Sequence, residues 1–180
     1  MHGPGSYYSP SYPLVPRILV FDRVAGSLKG RRLRRWRRHR DAGLAMWEPT
    51  GLVLAVNEIL PPATFVGLGE PDWPASSSEG VQPITPGAIT LGRSVYTPPA
   101  PKWYPTAWAS PWYNEGSIAW FHLERLRTSE KMGSPTYAWD RTVCHEVGHC
   151  LGLGHGSNGI MSGAMKPNVH DLDSVREWYL

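Results

Sequence analysis

Apolar residues come in two patterns along this chain: short continuous runs, and positions spaced three or four apart. Arg17-Ile18-Leu19-Val20-Phe21-Asp22 is a run bounded by proline and charge, which predicts a buried strand. From Lys29 towards Trp47 the pattern changes to a helix, with Leu33 and Trp36 three apart on one apolar face. Leu52–Val56 and Ala63–Leu68 predict two more strands, parted by Pro61-Pro62, and 71–87 reads as loop. Ala88–Leu91 is a further short strand. Residues 97–115 are proline-rich and aromatic, and their prolines bar them from a central strand. Ser117–Leu123 reads as the last strand before a helix that Asp140 would cap. A closing helix follows, with Asp171 in the N-cap position and Leu172, Val175, Trp178 and Tyr179 at helical spacing. The order of elements predicts one α/β (α+β) domain over 17–180. Residues 1–16, rich in Pro, Gly, Ser and Tyr, read as a poorly ordered arm.

A length of 180 residues suits one domain with a single substantial core, and 41% hydrophobic against 18% charged residues fits a folded soluble protein. No apolar run is long enough to span a membrane. The start, Met1-His2-Gly3-Pro4-Gly5, has neither the basic region nor the apolar stretch of a signal peptide. Charge is unevenly placed. Residues 17–40 hold ten Lys/Arg and one acid, whereas the remainder holds eight basic and fourteen acidic residues. The stretch Arg31–Arg40 therefore offers contact to an anionic surface or nucleic acid, set against the plainer reading of a solvated outer helix face. The two cysteines, Cys144 and Cys150, are six residues apart on one predicted helix, about 9 Å along its axis and on different faces. That geometry speaks against a disulfide between them, and buried packing residues are expected over metal ligands.

Chemistry concentrates in His145-Glu146-Val147-Gly148-His149-Cys150-Leu151-Gly152-Leu153-Gly154-His155, followed by Ile160-Met161-Ser162. One helical turn separates His145 from His149, so both rings project from one face and suit two corners of a zinc tetrahedron. Gly152 can adopt the left-handed conformation that ends a helix, letting the chain turn and bring in His155 as third ligand. Three neutral histidines would leave a fourth position for water, as catalytic zinc sites do. Glu146, next to the first ligand, is placed to take a proton from that water.

The string H-E-x-x-H-x-x-G-x-x-H with a methionine downstream resembles the metzincin metallopeptidases. That resemblance implies one catalytic Zn2+ held by His145, His149 and His155, Glu146 as general base, and Met161 as the hydrophobic floor of a Met-turn. The closing stretch, with paired aspartates and a terminal tyrosine, is similar to the C-terminal helix of the matrixins. A matrixin-like catalytic domain implies a mixed, mostly parallel twisted sheet, a long backing helix, an active-site helix, a Met-turn and a C-terminal helix. Its expected activity is that of a monomeric zinc endopeptidase acting on a protein or peptide substrate, and the family resemblance implies an extracellular setting. The sequence departs from matrixins in having Gly156 after His155 and Ser162-Gly163-Ala164 after Met161, where matrixins place the residues that wall a side-chain pocket. No calcium loop or second zinc site is evident, and His122 and His170 read as surface residues. Trp108 and Trp112 are candidate substrate contacts, weighed against rings that simply cover the sheet. Two other readings remain open on these residues: a zinc-containing module for attachment to a cell surface or particle, and an amidase acting on cell-wall peptides.

Overall fold

The computed structural model describes residues 17–58, 88–93, 107–113, 116–133, 138–155 and 159–180. The predicted arm at 1–16, the strand at Ala63–Leu68, the loop at 71–87 and the first part of the aromatic segment lie outside the described residues.

The described residues form a mixed α/β fold. Strands β1 (Arg17–Asp22), β2 (Val53–Glu58), β3 (Ala88–Arg93), β4 (Ala107–Tyr113) and β5 (Gly116–Phe121) make one sheet in the order β2-β1-β3-β5-β4. Four of them, β2, β1, β3 and β5, run parallel, and β4 is antiparallel to β5. Five α-helices accompany them: α1 (Arg23–Gly26), α2 (Gly30–Ala45), α3 (Leu123–Lys131), α4 (Trp139–Cys150) and α5 (Val169–Tyr179).

Register decides which side of the sheet is covered. Ile18 and Val20 of β1, Ile89 and Leu91 of β3, Ala119 and Phe121 of β5, and Ala107 and Ala109 of β4 share one face, and all are buried. Helices α2 and α4 lie against that face, with Trp36 of α2 tilted on Phe121 at 5.2 Å between ring centroids. The two helices cross very closely. A Cβ on Gly43 would lie 2.6 Å from the Asp140 carbonyl oxygen and 2.7 Å from Val143 Cβ. Glycine inside α2 costs helix propensity of roughly 1 kcal/mol relative to alanine, and this crossing requires it.

The basic helix expected between Lys29 and Trp47 is α2, and only one of its sides is solvated: Trp36, Arg40, Gly43 and Leu44 are buried. Arg40 bonds Asp22 at 2.5 Å, Glu58 at 2.7 Å and Asp41 at 2.7 Å, while Trp36 Nε1 donates to Asp22 at 2.8 Å. A fully buried carboxylate is tolerable there because charge and hydrogen bonds answer it.

Three sequence expectations are corrected. The strand expected to reach Leu123 ends at Phe121, and Leu123 opens α3, whose buried Leu123 and Leu126 are three apart. His122 is partly exposed and caps that helix by accepting from the Arg125 amide. Asp140 does not cap the helix that carries H-E-x-x-H; α4 starts at Trp139 after Ala138, which makes no side-chain cap, and Asp140 sits in the first turn, where its charge favours the helix dipole. The last helix begins earlier than expected, capped by Asn168, with Asp171 completing a capping box. His170 is exposed, as expected. The aromatic segment supplies β4 at a sheet edge, and its register shifts between Ser110 and Tyr113, around Pro111. An edge with a bulge is where a strand accommodates proline.

Candidate metal centre

Helix α4 carries His145, Glu146 and His149, and its end is built so that the chain folds back. Leu151 is the C-cap, and Gly152 follows at φ +102°. The Gly152 amide donates to the His149 carbonyl at 2.9 Å, and the Leu153 amide to the Gly148 carbonyl at 3.0 Å. This pair of bonds is a Schellman motif, which needs a left-handed residue where glycine stands. The role assigned to Gly152 is thus present in the backbone. His155 follows three residues later and meets the other two rings: centroid separations are 4.8 Å for His145–His149, 5.4 Å for His145–His155 and 4.7 Å for His149–His155. One ligand nitrogen from each histidine lies within 4.8 Å of the others.

Two rings are held from behind. His145 Nδ1 lies 2.9 Å from the Ile160 carbonyl oxygen, and His149 Nδ1 lies 2.7 Å from that of Leu153. A carbonyl only accepts, so each Nδ1 carries the proton and each Nε2 presents a lone pair. This is the arrangement that orients metal-ligating histidines elsewhere. Burial, the leading cause, pushes His145 down to about 4 and His149 to about 3, and lowers His155 as well. The rings are therefore neutral near pH 7, the form that binds metal. His149 Nε2 and His155 Nε2 stand 3.2 Å apart. Two nitrogens on a tetrahedral ion with bonds of about 2.0–2.1 Å would be about 3.3–3.4 Å apart. The donor set and its spacing fit a divalent metal ion.

Met161 lies in the short 3-10 turn Ile160–Ser162 and is 2% exposed. A Cβ on Gly148 would come within 2.7 Å of Met161 Sδ and 3.0 Å of Trp47 Cζ2. Gly148 is thus the notch in α4 that admits the thioether. The H-E-x-x-H-x-x-G-x-x-H pattern leaves that position unspecified and does not reach Trp47. Trp47 is fully buried and donates Nε1–H to the Cys144 carbonyl at 3.2 Å, pinning α4 at the residue before His145.

Asp171 is a second residue whose part was not read from the sequence. Its Oδ2 accepts from the Ile160 amide at 2.9 Å and from the Asn168 amide at 3.1 Å. One carboxylate therefore fastens the methionine turn to the start of α5, and the carbonyl of the same Ile160 receives His145. Arg141 adds a bond from Nε to the Ala164 carbonyl at 3.0 Å. Tyr179 hydroxyl donates to the Leu151 carbonyl at 3.2 Å, tying the chain end to the turn after α4. Asp171 stands at N3 of a helix, a position whose wider role only the tertiary contact reveals.

Glu146 lies on α4 beside His145 and is 6% exposed. Burial pushes its carboxyl up to about 8, with Arg141 opposing. Cys144 and Cys150 are buried thiols whose pKa is raised by burial, as expected of packing residues. Trp108 and Trp112 lie on β4, outside the histidine cluster, where the register sets Trp108 opposite Trp120. Among the described residues no other group of three metal-ligating side chains occurs, and no helix is long and apolar enough to cross a membrane. No known family model matches the chain, and a search of curated proteins finds no match.

Proposed function

We propose that this chain is a zinc-dependent endopeptidase of the metzincin type, with His145, His149 and His155 as the zinc ligands and Glu146 as the general base. The observation that carries this reading is the convergence of three neutral imidazoles, two of them fixed through Nδ1 to backbone carbonyls. Imidazole donors suit zinc, and three protein ligands leave a position for water or substrate. When bound, zinc supplies Lewis acidity, lowering the pKa of water towards about 7 and polarising a peptide carbonyl. Burial favours the neutral form of Glu146, and the charge of a bound cation would favour the ionised one; once ionised, Glu146 takes the proton from the attacking water and returns it to the leaving amine. Met161 packs into the notch at Gly148 and keeps the turn below α4 apolar.

An extended peptide would pair with β4, the sheet edge that packs beside α4 and has no further strand outside it among the described residues. In this reading Trp108 and Trp112 grip the substrate. Alanine at either would raise KM and leave Tm nearly unchanged; a loss of about 3–5 kcal/mol in stability with normal kinetics would assign them to packing instead.

The deciding experiment is Glu146→Gln. Purified protein should hold about one zinc per chain and cleave a peptide library. The variant should keep zinc and fold while activity falls by on the order of 10²–10⁴ or more. Normal turnover in the zinc-loaded variant would remove Glu146 from the chemistry, and absence of any cleavage by the zinc-loaded parent would remove the peptidase reading.

A further inference from the structure

Helix α2 sorts its arginines into two sets. Arg32 pairs with Glu124, Arg35 with Glu130, Arg37 with Glu58, and Arg40 with Asp22, Asp41 and Glu58. Arg31, Arg34 and Arg38 are exposed and have no acidic partner among the described residues. At about 100° per residue these three fall within roughly 60° around the helix axis, spread over about 10 Å of its length. They lie on the side opposite Trp36, Arg40 and Gly43, which are buried. The stripe continues into Ala42 and Ala45, both exposed and small.

Helix stability does not ask for this stripe. The first turn of α2 contains no acidic residue, and cations there oppose the positive end of the helix dipole. Arg31 and Arg34 are three apart, and Arg34 and Arg38 are four apart; like charges at those spacings repel. An external polyanion relieves both. Arginine matches it well, because its planar fork makes paired hydrogen bonds to phosphate oxygens.

We propose that the Arg31–Arg34–Arg38 stripe binds the phosphodiester backbone of double-stranded nucleic acid without reading its sequence. A duplex carries one negative charge per about 1.7 Å of axis, so a linear row of three guanidiniums meets several phosphates at once. A lipid surface fits less well. The apolar side of α2 is already spent on the core, leaving nothing to insert, and polybasic membrane sites gather about four to eight basic residues. This inference is independent of the peptidase reading.

The test is fluorescence anisotropy of the full chain with a labelled duplex of about 20 base pairs, over a salt series. Three phosphate contacts predict a slope of log K against log salt near −2.7, a loss of about forty-fold between about 50 and 200 mM. The triple substitution R31Q/R34Q/R38Q should abolish that binding with Tm unchanged, and the Arg→Lys triple should keep most of the slope. No binding at about 50 mM salt, or equal affinity in the glutamine triple, would overturn the proposal. So would tighter binding to phosphatidylserine-containing vesicles than to the duplex, since that result would make a membrane the partner.

Discussion

Around Arg40, charge closes on itself: Asp22, Asp41 and Glu58 surround one guanidinium, Arg37 takes the other side of Glu58, and Trp36 adds a donor. At the end of α4, three like groups converge instead. Two imidazoles are held by carbonyls at their backs, and the Nε2 atoms of His149 and His155 face each other at 3.2 Å. Only the first satisfies its polar groups with its own members; the second is half-buried, with His155 exposed. A group whose hydrogen-bonding needs are met internally belongs to the architecture. Three lone-pair donors kept neutral and aimed at one another are arranged for a cation, which is the physical reason to place function at α4 rather than at the more heavily charged α2.

The sharpest break in this comparison is His149→Ala. It should reduce bound zinc from about one per chain to near zero, measured by elemental analysis of dialysed protein. Unchanged metal content would show that the convergence of histidines is incidental. Next in size is Arg40→Ala, which leaves Asp22 buried without its cation. Unfolding free energy should fall by about 3–5 kcal/mol in a denaturant titration, with zinc content per folded chain unchanged. Metal loss in that variant would mean that the two clusters are not separable.

Gly148→Ala sharpens the contrast at the metal helix. The added methyl must displace Met161 or Trp47, so a cost of about 1–3 kcal/mol is expected, together with weaker retention of zinc under chelator challenge. A stable variant with normal zinc retention would mean that the notch is not needed. The smallest effect expected is a pH dependence. The hydrogen bond from Arg37 chiefly, with Arg40, holds Glu58 down to about 2 from its ordinary 4.5. Its contribution is fully present above about 4.5 and fades as pH falls towards 2, a loss on the order of 1–3 kcal/mol. Glu58→Gln should flatten that part of the stability profile; an unchanged acid slope would assign it to other carboxylates.

Periodicity and local motif were enough to find β1, β2, β3 and β5, the long basic helix, the histidine-bearing helix α4 and the closing helix. Each of these signals is carried by residues within a few positions of one another. The convergence of the three histidines and the turn at Gly152 were legible for the same reason, since their spacing is local and the geometry of a helix does the rest. Helix α3 was not legible, because it opens directly from the last residues of β5 and its cap is a histidine. The starts of α4 and α5 were misplaced because Asp140 and Asp171 are good caps by type, and only the backbone decides which residue stands at the boundary. β4 was hidden by Pro111, which an edge and a bulge accommodate but no local pattern announces.

What the tertiary structure alone decided is how the motif is held. The carbonyl that receives His145 belongs to Ile160, whose own amide is fastened by Asp171 eleven residues further on. The notch at Gly148 is filled by Met161 and by Trp47, and the latter lies on the connection after α2. Among the arginines of α2, the placement of carboxylates from other parts of the fold separates the four that answer them from the three that do not. Such partners are distant in the chain, and sequence spacing carries no record of them. They meet only because packing the sheet against α2 and α4 leaves each buried donor and acceptor a small choice of neighbours.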